Sequence, residues 1–348
     1  MLIYLFTFIL SFALSLYATP IMREAALRFG IVDKPDGVLK NQSAPVAYLG
    51  GLAVYLSFLI SLALVFDFTP HVLALLLAGT IVIILGLIDD FGFLTPGIKL
   101  FGQLLAVWVL FKGDIYIQIE FLPLTFGIPL ASYLLSMLWL VGVANAFNII
   151  DIMDGLASTV GAVASLVFFG VAYMNGNTTI AALTIALAGA LIGFLRYNRE
   201  PAKIYLGDTG SLFIGLMLGS LAMIGSYTEQ NKAGLLAPVL ILGVPIFDTF
   251  LVMVLRWRKG HPVMWGSPDH YALRLKKMGW SVNNIVALSG GVSLVLGLVA
   301  YWVMQITIEW HALLICGLVG LIGLIVACWL SRVEMPVVGN RARKDRES

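Results

Sequence analysis

Apolar runs of about twenty residues recur from one end of this chain to the other, and that single feature restricts the fold more than any motif does. A helix rises about 1.5 Å per residue, so each run is long enough to cross a hydrocarbon core of about 30 Å. Composition agrees: 60% of the residues are hydrophobic and 11% are charged, against roughly 25% charged in a soluble domain. Eleven apolar segments are read, at 1–18, 48–66, 71–88, 99–112, 130–147, 158–174, 179–195, 209–225, 233–255, 282–305 and 310–331. The expected fold class is therefore an all-α polytopic membrane protein with about 10–11 transmembrane helices. One transmembrane domain is expected over 1–331, followed by a basic tail over 332–348. Residues 112–129 alternate like a strand, which predicts a small external hairpin. Residues 1–18 lack a basic leading region and are kept as a first span. The two cysteines, Cys316 and Cys328, have no metal-ligand spacing and read as small packing residues.

Charge placement sets the orientation. With the N-terminus external, 19 of the 21 Lys and Arg residues fall on internal segments, leaving Lys112 and Lys232 outside. Such a split is the expected positive-inside pattern, with the C-terminus cytoplasmic. Every polar cluster of interest then lies on the cytoplasmic face. Carboxylates at a membrane boundary are costly to desolvate, which makes them functional candidates.

Four clusters stand out. Asp89 and Asp90 end the third span. Helix termination is the plain reading, but acidic groups oppose the negative end of a helix dipole. Lys99, opening the next span, is placed to neutralise a carboxylate or hold a phosphate. In NAFNIIDIMDGLAS, the residues Asn145, Asn148, Asp151 and Asp154 recur every three positions, forming one polar stripe on a helix. Helix–helix hydrogen bonding would account for such a stripe. Oxygen ligands of this kind also suit Mg²⁺, or Mn²⁺ as an alternative. Asp208, in KIYLGDTGSLFIG, opens the eighth span. Taken alone it is an ordinary capping residue; beside two other oxygen-rich clusters it becomes a metal-ligand candidate at a phosphate-binding helix terminus. The fourth cluster is the basic loop after the ninth span. Its Asp269, His270 and Arg274 are candidates for binding pyrophosphate or sugar hydroxyls, although a basic juxtamembrane loop is often only a topology signal. Asp248, inside the ninth span, reads as a structural hydrogen-bonding group.

The segments GIVDKPDG, PVAYLGGLAV, IDDFGFLTPGIKL, NAFNIIDIMDGLA, YLGDTGSLFIG and PIFDT, in that order, resemble the polyprenyl-phosphate N-acetylhexosamine-1-phosphate transferase superfamily across nearly the whole chain. The resemblance implies Mg²⁺ held by Asn148 and Asp208, and uracil contact at Asp154 with Asp151 beside it. It implies that Asp89 and Asp90 attend the lipid phosphate, with Lys99 near the phosphates. The PIFDT segment and the span count resemble the branch that uses UDP-N-acetylglucosamine more than the branch that uses UDP-N-acetylmuramoyl-pentapeptide. Two departures stand out: Ala272 and Leu273 occupy places where that branch carries histidines, and Phe93 replaces the third acid of its DDxxD pattern.

These observations together predict transfer of a sugar 1-phosphate from a UDP-sugar to undecaprenyl or another polyprenyl phosphate, at the cytoplasmic face of the plasma membrane. A phosphomonoester's second pKa is about 6, so the lipid nucleophile is already ionised near neutrality. Asp89 and Asp90 are accordingly expected to orient the acceptor, with proton abstraction as the alternative. The expected partners are the lipid, the UDP-sugar, the bilayer and a second copy of the chain, with no nucleic acid. A transporter would place charged groups at mid-bilayer on discontinuous helices; here the acids sit at helix ends.

Overall fold

The computed structural model describes residues 1–33, 45–66, 68–118, 130–260 and 267–335. All eleven apolar segments fall on helices. Eight of these are long and apolar enough to cross a membrane: α1 (Leu2–Phe29), α3 (Pro70–Asp90), α5 (Leu130–Ile150), α6 (Leu156–Met174), α7 (Thr178–Asn198), α8 (Gly207–Ile224), α12 (Val282–Gln305) and α13 (Glu309–Ser331). Two more, α2 (Gly50–Ala63) and α4 (Pro96–Lys112), have 14 and 17 residues. A short helix, α11 (Tyr271–Lys277), completes the set together with the broken segment described next. The chain is a multi-pass, all-α membrane protein.

The ninth apolar segment is not one helix. A 3-10 turn (Lys232–Leu236) runs into α9 (Ala237–Ile241), and α10 (Gly243–Arg258) leaves at 76°. Gly243 and Pro245 follow the break. Proline has no N–H to bond back to the preceding turn, so the axis is free to turn there. Asn231 anchors the outer arm by donating to the carbonyls of Val303 (2.9 Å) and Ile306 (2.7 Å) at the end of α12.

The first helix runs eleven residues past the expected boundary, through Pro20. That proline leaves the Leu16 carbonyl without its helical donor, and the Tyr197 hydroxyl of α7 supplies one at 3.2 Å. The helix stops at Gly30, which takes the left-handed conformation at φ 71°. Along α1 the buried face is Thr7, Ser11, Ser15 and Thr19. Small residues of this kind let two helices approach closely in lipid, and Ser11 donates across to the Ala186 carbonyl of α7 at 2.7 Å.

Helices α7 and α8 form the centre, with 83% of their apolar windows buried, whereas α13 is only 6% buried and faces outward along its length. Phe213 of α8 meets Tyr55 and Phe58 of α2 edge to face at 5.3 and 5.6 Å. The central position of α8 matters for function, because its first turn carries Asp208.

At that same end, Val32–Asp33 pairs antiparallel with Val46–Ala47, and Ala47 bridges to Ile204. Of the expected hairpin, 119–129 lies outside the described residues; 113–118 form a turn tied to α5 through Ile117 N–H and Ser136 Oγ at 2.7 Å. Most of the tail, 336–348, also lies outside them.

Candidate active site

Four helix ends meet at one end of the bundle: the C-termini of α3 and α5 and the N-termini of α4 and α8. Close packing makes this possible. The N–H of Gly51, opening α2, donates to the Leu206 carbonyl at 2.9 Å. A Cβ on Gly51 would lie 2.1 Å from the Gly210 nitrogen, so the YLGG and GDTG segments touch backbone to backbone.

The Lys99 ammonium sits at the meeting point. It bonds Asp89 Oδ2 at 2.7 Å, Asn148 Oδ1 at 3.2 Å and Asp208 Oδ2. Asn148 in turn donates Nδ2 to Asp208 Oδ1 at 2.8 Å and to Ser211 Oγ at 3.1 Å. The side chains keep an opening to the outside, Asp208 being 33% exposed and Asp89 16%. Asp89, Lys99, Asn148 and Asp208 are thus brought together.

Asp90, next in sequence to Asp89, does something different. Its Oδ1 accepts the Asp208 N–H at 2.7 Å, and its Oδ2 accepts the Thr209 N–H at 3.2 Å and hydroxyl at 2.6 Å. It caps α8 from another helix, satisfying amides that have no partner within their own helix and sitting at the positive end of its dipole. Gly207 precedes them at φ 72°, where a Cβ would lie 2.6 Å from Asp90 Oδ2.

The polar stripe of α5 divides in the same way. Asn145 exchanges hydrogen bonds with Gln103 of α4 (2.9 Å for Asn145 Nδ2 to Gln103 Oε1) and bonds its own helix, so it serves helix packing. Asp151 has no hydrogen-bond or ion-pair partner among the described residues. Burial, reinforced by the carboxylates of Asp208, Asp90 and Asp154, raises it well above the usual carboxylate range. Asp154 accepts the Ala202 N–H at 2.8 Å. Burial raises it too, against the lowering effect of that N–H and of the Lys276 charge.

Two tyrosines line the neighbouring surface and have no counterpart among the sequence candidates. Tyr48 and Tyr205 lie 6.0 Å apart between ring centroids. The Tyr48 hydroxyl bonds Asp33; burial and that carboxylate push it upward. Burial, with Asp154, Asp33 and Asp151, pushes Tyr205 up to about 12. Each tyrosine stands two positions before a glycine, Gly50 or Gly207, which is the signal that could have marked them.

The loop candidates are spent internally. His270 Nδ1 bonds Asp248 Oδ2 at 2.7 Å, and the Tyr271 N–H bonds Asp248 Oδ1 at 2.9 Å, with Asp248 fully buried. Asp269 receives Lys259 at 2.7 Å, Ser267 at 2.6 Å and Arg274 at 2.6 Å. Against the upward push of burial, Lys259, Ser267 and Arg274 hold the Asp269 carboxyl below the usual range. Arg274, 2% exposed, also donates to the Leu330 carbonyl at 3.0 Å and to that of Val333, closing the C-terminal end of α13. The structure does not join these three residues to the four-helix cluster. Residues 261–266 of the same loop lie outside the described residues.

A family model described as glycosyl transferase family 4 matches residues 72–226. That interval contains every residue of the four-helix cluster. The chain is 33% identical over 279 residues to a Bacillus subtilis protein named as a probable undecaprenyl-phosphate N-acetylglucosaminyl 1-phosphate transferase, covering 79% of this chain and 77% of that one. The chain belongs to glycosyl transferase family 4. It is also 32% identical to a decaprenyl-phosphate N-acetylglucosaminephosphotransferase of Mycolicibacterium smegmatis, over 82% of this chain and 77% of that protein. A phospho-N-acetylmuramoyl-pentapeptide-transferase of Bacillus cytotoxicus is 30% identical, over 85% and 95% respectively. The family assignment makes the chain a transferase of the polyprenyl-phosphate hexosamine-1-phosphate superfamily, as its motifs suggested.

Among the described residues, no group of three or more His, Cys, Asp or Glu side chains is arranged to hold a metal. Mg²⁺ does not require such a group, because it binds through one or two carboxylates together with water and phosphate oxygens. Oxygens of Asp89, Asn148 and Asp208 already converge on one cation, the Lys99 ammonium. The donor set therefore fits Mg²⁺.

Proposed function

We propose that this protein transfers an N-acetylhexosamine 1-phosphate from a UDP-sugar to a polyprenyl phosphate, releasing UMP and leaving a polyprenyl diphospho-sugar. The observation that carries the proposal is the convergence of Asp89, Lys99, Asn148 and Asp208 from four helix ends at one end of the bundle. The names of the relatives support the lipid acceptor and the phosphosugar donor. The basic residues concentrated at the same end support a cytoplasmic active site in a plasma membrane.

In this reading a lipid phosphate oxygen attacks the donor's β-phosphorus. The bond from that phosphorus to the bridging oxygen breaks, and the electron pair leaves with UMP. Phosphoryl transfer is accelerated chiefly by positioning and charge stabilisation. Asn148 and Asp208 would hold Mg²⁺, which supplies positive charge to the diphosphate and the departing oxygen. Lys99 contributes a second cation to the phosphates, and Asp89 keeps that ammonium in the mouth of the site. Asp90 fixes the first turn of α8 and, through it, Asp208. Asp90 spends both oxygens on α8, so Asp89 is the acid of the pair left to meet the acceptor. Asp151 and Asp154 border the donor's nucleoside end, beside Tyr48 and Tyr205.

The donor of choice is UDP-N-acetylglucosamine, following the names of the Bacillus subtilis and Mycolicibacterium smegmatis relatives. UDP-N-acetylmuramoyl-pentapeptide is the second reading, favoured by the 95% coverage of the Bacillus cytotoxicus relative. Purified protein with undecaprenyl phosphate and Mg²⁺, offered each donor in turn and assayed for UMP, separates them. UMP from the first donor alone supports the primary reading, and UMP from the second alone replaces it. No UMP with any UDP-sugar overturns the reaction.

A further inference from the structure

An ammonium has three N–H donors. Lys99 spends its ammonium inside the cluster, donating to Asn148 Oδ1 and Asp208 Oδ2 and forming an ion pair with Asp89 Oδ2 at 2.7 Å. In this arrangement the ammonium is held by protein acceptors and is not offered to a phosphate. Two of the three acceptors, Asn148 and Asp208, are the residues assigned above to the divalent cation. The same oxygens cannot serve both cations at contact distance, since two positive charges a few ångströms apart repel strongly in a poorly solvated mouth. Lys99 is itself only 17% exposed. Its four-carbon stem springs from the first turns of α4, behind the capping Thr95, and lets the ammonium swing while the helix stays fixed.

We propose that Lys99 is a built-in counter-ion for the divalent-cation site, and that it must be displaced from Asp208 and Asn148 before the metal can bind. This rests on the metal assignment in the reading above. Displacement frees the two ammonium donors held by Asp208 and Asn148, which the donor's diphosphate can take up. Metal and diphosphate therefore favour each other's binding, and by linkage the favour is mutual. The same exchange keeps Asp89 and Asp208 from facing one another uncompensated. Lys99 then has two successive tasks, neutralising the acids first and the phosphates afterwards.

The test is Mn²⁺ binding by the purified protein without nucleotide, followed by the loss of the free-ion paramagnetic resonance signal. Lys99→Met keeps the stem and removes the charge; Lys99→Gln is the second variant should the first fold poorly, and each is checked by thermal melting. The expected result is Mn²⁺ affinity about tenfold or more above wild type, within the usual range of coupling between sites. Lys99→Arg, which keeps the charge, should stay near wild type. The gain should vanish when Asp208→Ala is added. Equal or weaker Mn²⁺ binding by the neutral variants, with binding still dependent on Asp208, overturns the exchange and leaves the metal assignment standing. Mn²⁺ binding that survives Asp208→Ala, or none in any variant, removes the metal assignment and the exchange with it.

Discussion

The four-helix cluster and the Asp248–Arg274 loop contain the same kinds of side chain, yet they are built for opposite purposes. In the cluster, Asp208 is 33% exposed, and near it Asp151 has no hydrogen-bond or ion-pair partner among the described residues, so charge is held close together and left open to the outside. In the loop, Asp248 is 0% and Arg274 2% exposed, and each is consumed by bonds to its own chain. One arrangement stores an electrostatic demand that a cation or a phosphate can meet. The other leaves no demand and gives rigidity. Residue type alone does not distinguish them; the degree to which each charge is already satisfied does.

The largest expected effect breaks the first region. Asp208→Ala should lower UMP release by about 10³-fold, the order found when one preorganised charge-stabilising group is lost. Its melting temperature should change little, because the side chain is partly open. The next breaks the second region. Arg274→Ala should cost about 2 kcal/mol of stability, since it leaves two carbonyls at the end of α13 without their donor and leaves the buried Asp269 carboxylate to Lys259 and Ser267 alone. Thermal melting in detergent measures this. Asp90→Ala lies between the two regions, because Asp90 stands beside the proposed reaction centre but works as a cap. It should cost about 1–2 kcal/mol, and activity should fall by about 10–100-fold, the effect typical of a group that orients a metal ligand.

The smallest effect is the most discriminating, because its sign differs between the regions. Asp151 holds its proton more tightly folded than unfolded, so its ionisation costs stability as pH rises above the ordinary carboxylate value of about 4. Asp151→Asn should therefore melt higher than wild type at pH 7, with the difference closing as pH falls toward 4. Asp269 is shifted the other way. Its contribution is present above the ordinary carboxylate value and is lost as pH falls through its lower folded value, so Asp269→Asn should melt below wild type at pH 7. Melting curves across that pH range check both.

Much of the fold could be read from the chain. Apolar runs mark the helices. Charge placement predicts that the polar ends share one face. What eluded the sequence reading depends on contacts between distant segments. The extension of α1 past Pro20 needs the Tyr197 hydroxyl, 177 residues away, and the bend at Gly243 is hidden inside an unbroken apolar run. At the site, the cluster membership of Asp89, Lys99, Asn148 and Asp208 was legible because each lies at a helix end. The contrast between Asp89 and Asp90 was not, because adjacent residues look alike until their partners on α8 are known. Asp269, His270 and Arg274 looked like ligand-binding groups for the same reason: a sequence shows donors and acceptors but not which are already taken.

The most direct test compares turnover at saturating donor for Asp208→Asn and Arg274→Lys, each corrected for its folded fraction. Asp208→Asn is predicted to lose about 10³-fold in rate with an unchanged melting temperature. Arg274→Lys should turn over within a few-fold of wild type while melting several degrees lower. A fully folded Arg274→Lys protein as inactive as Asp208→Asn, or an active Asp208→Asn protein, would contradict the division of the molecule into a reactive cluster and a structural staple.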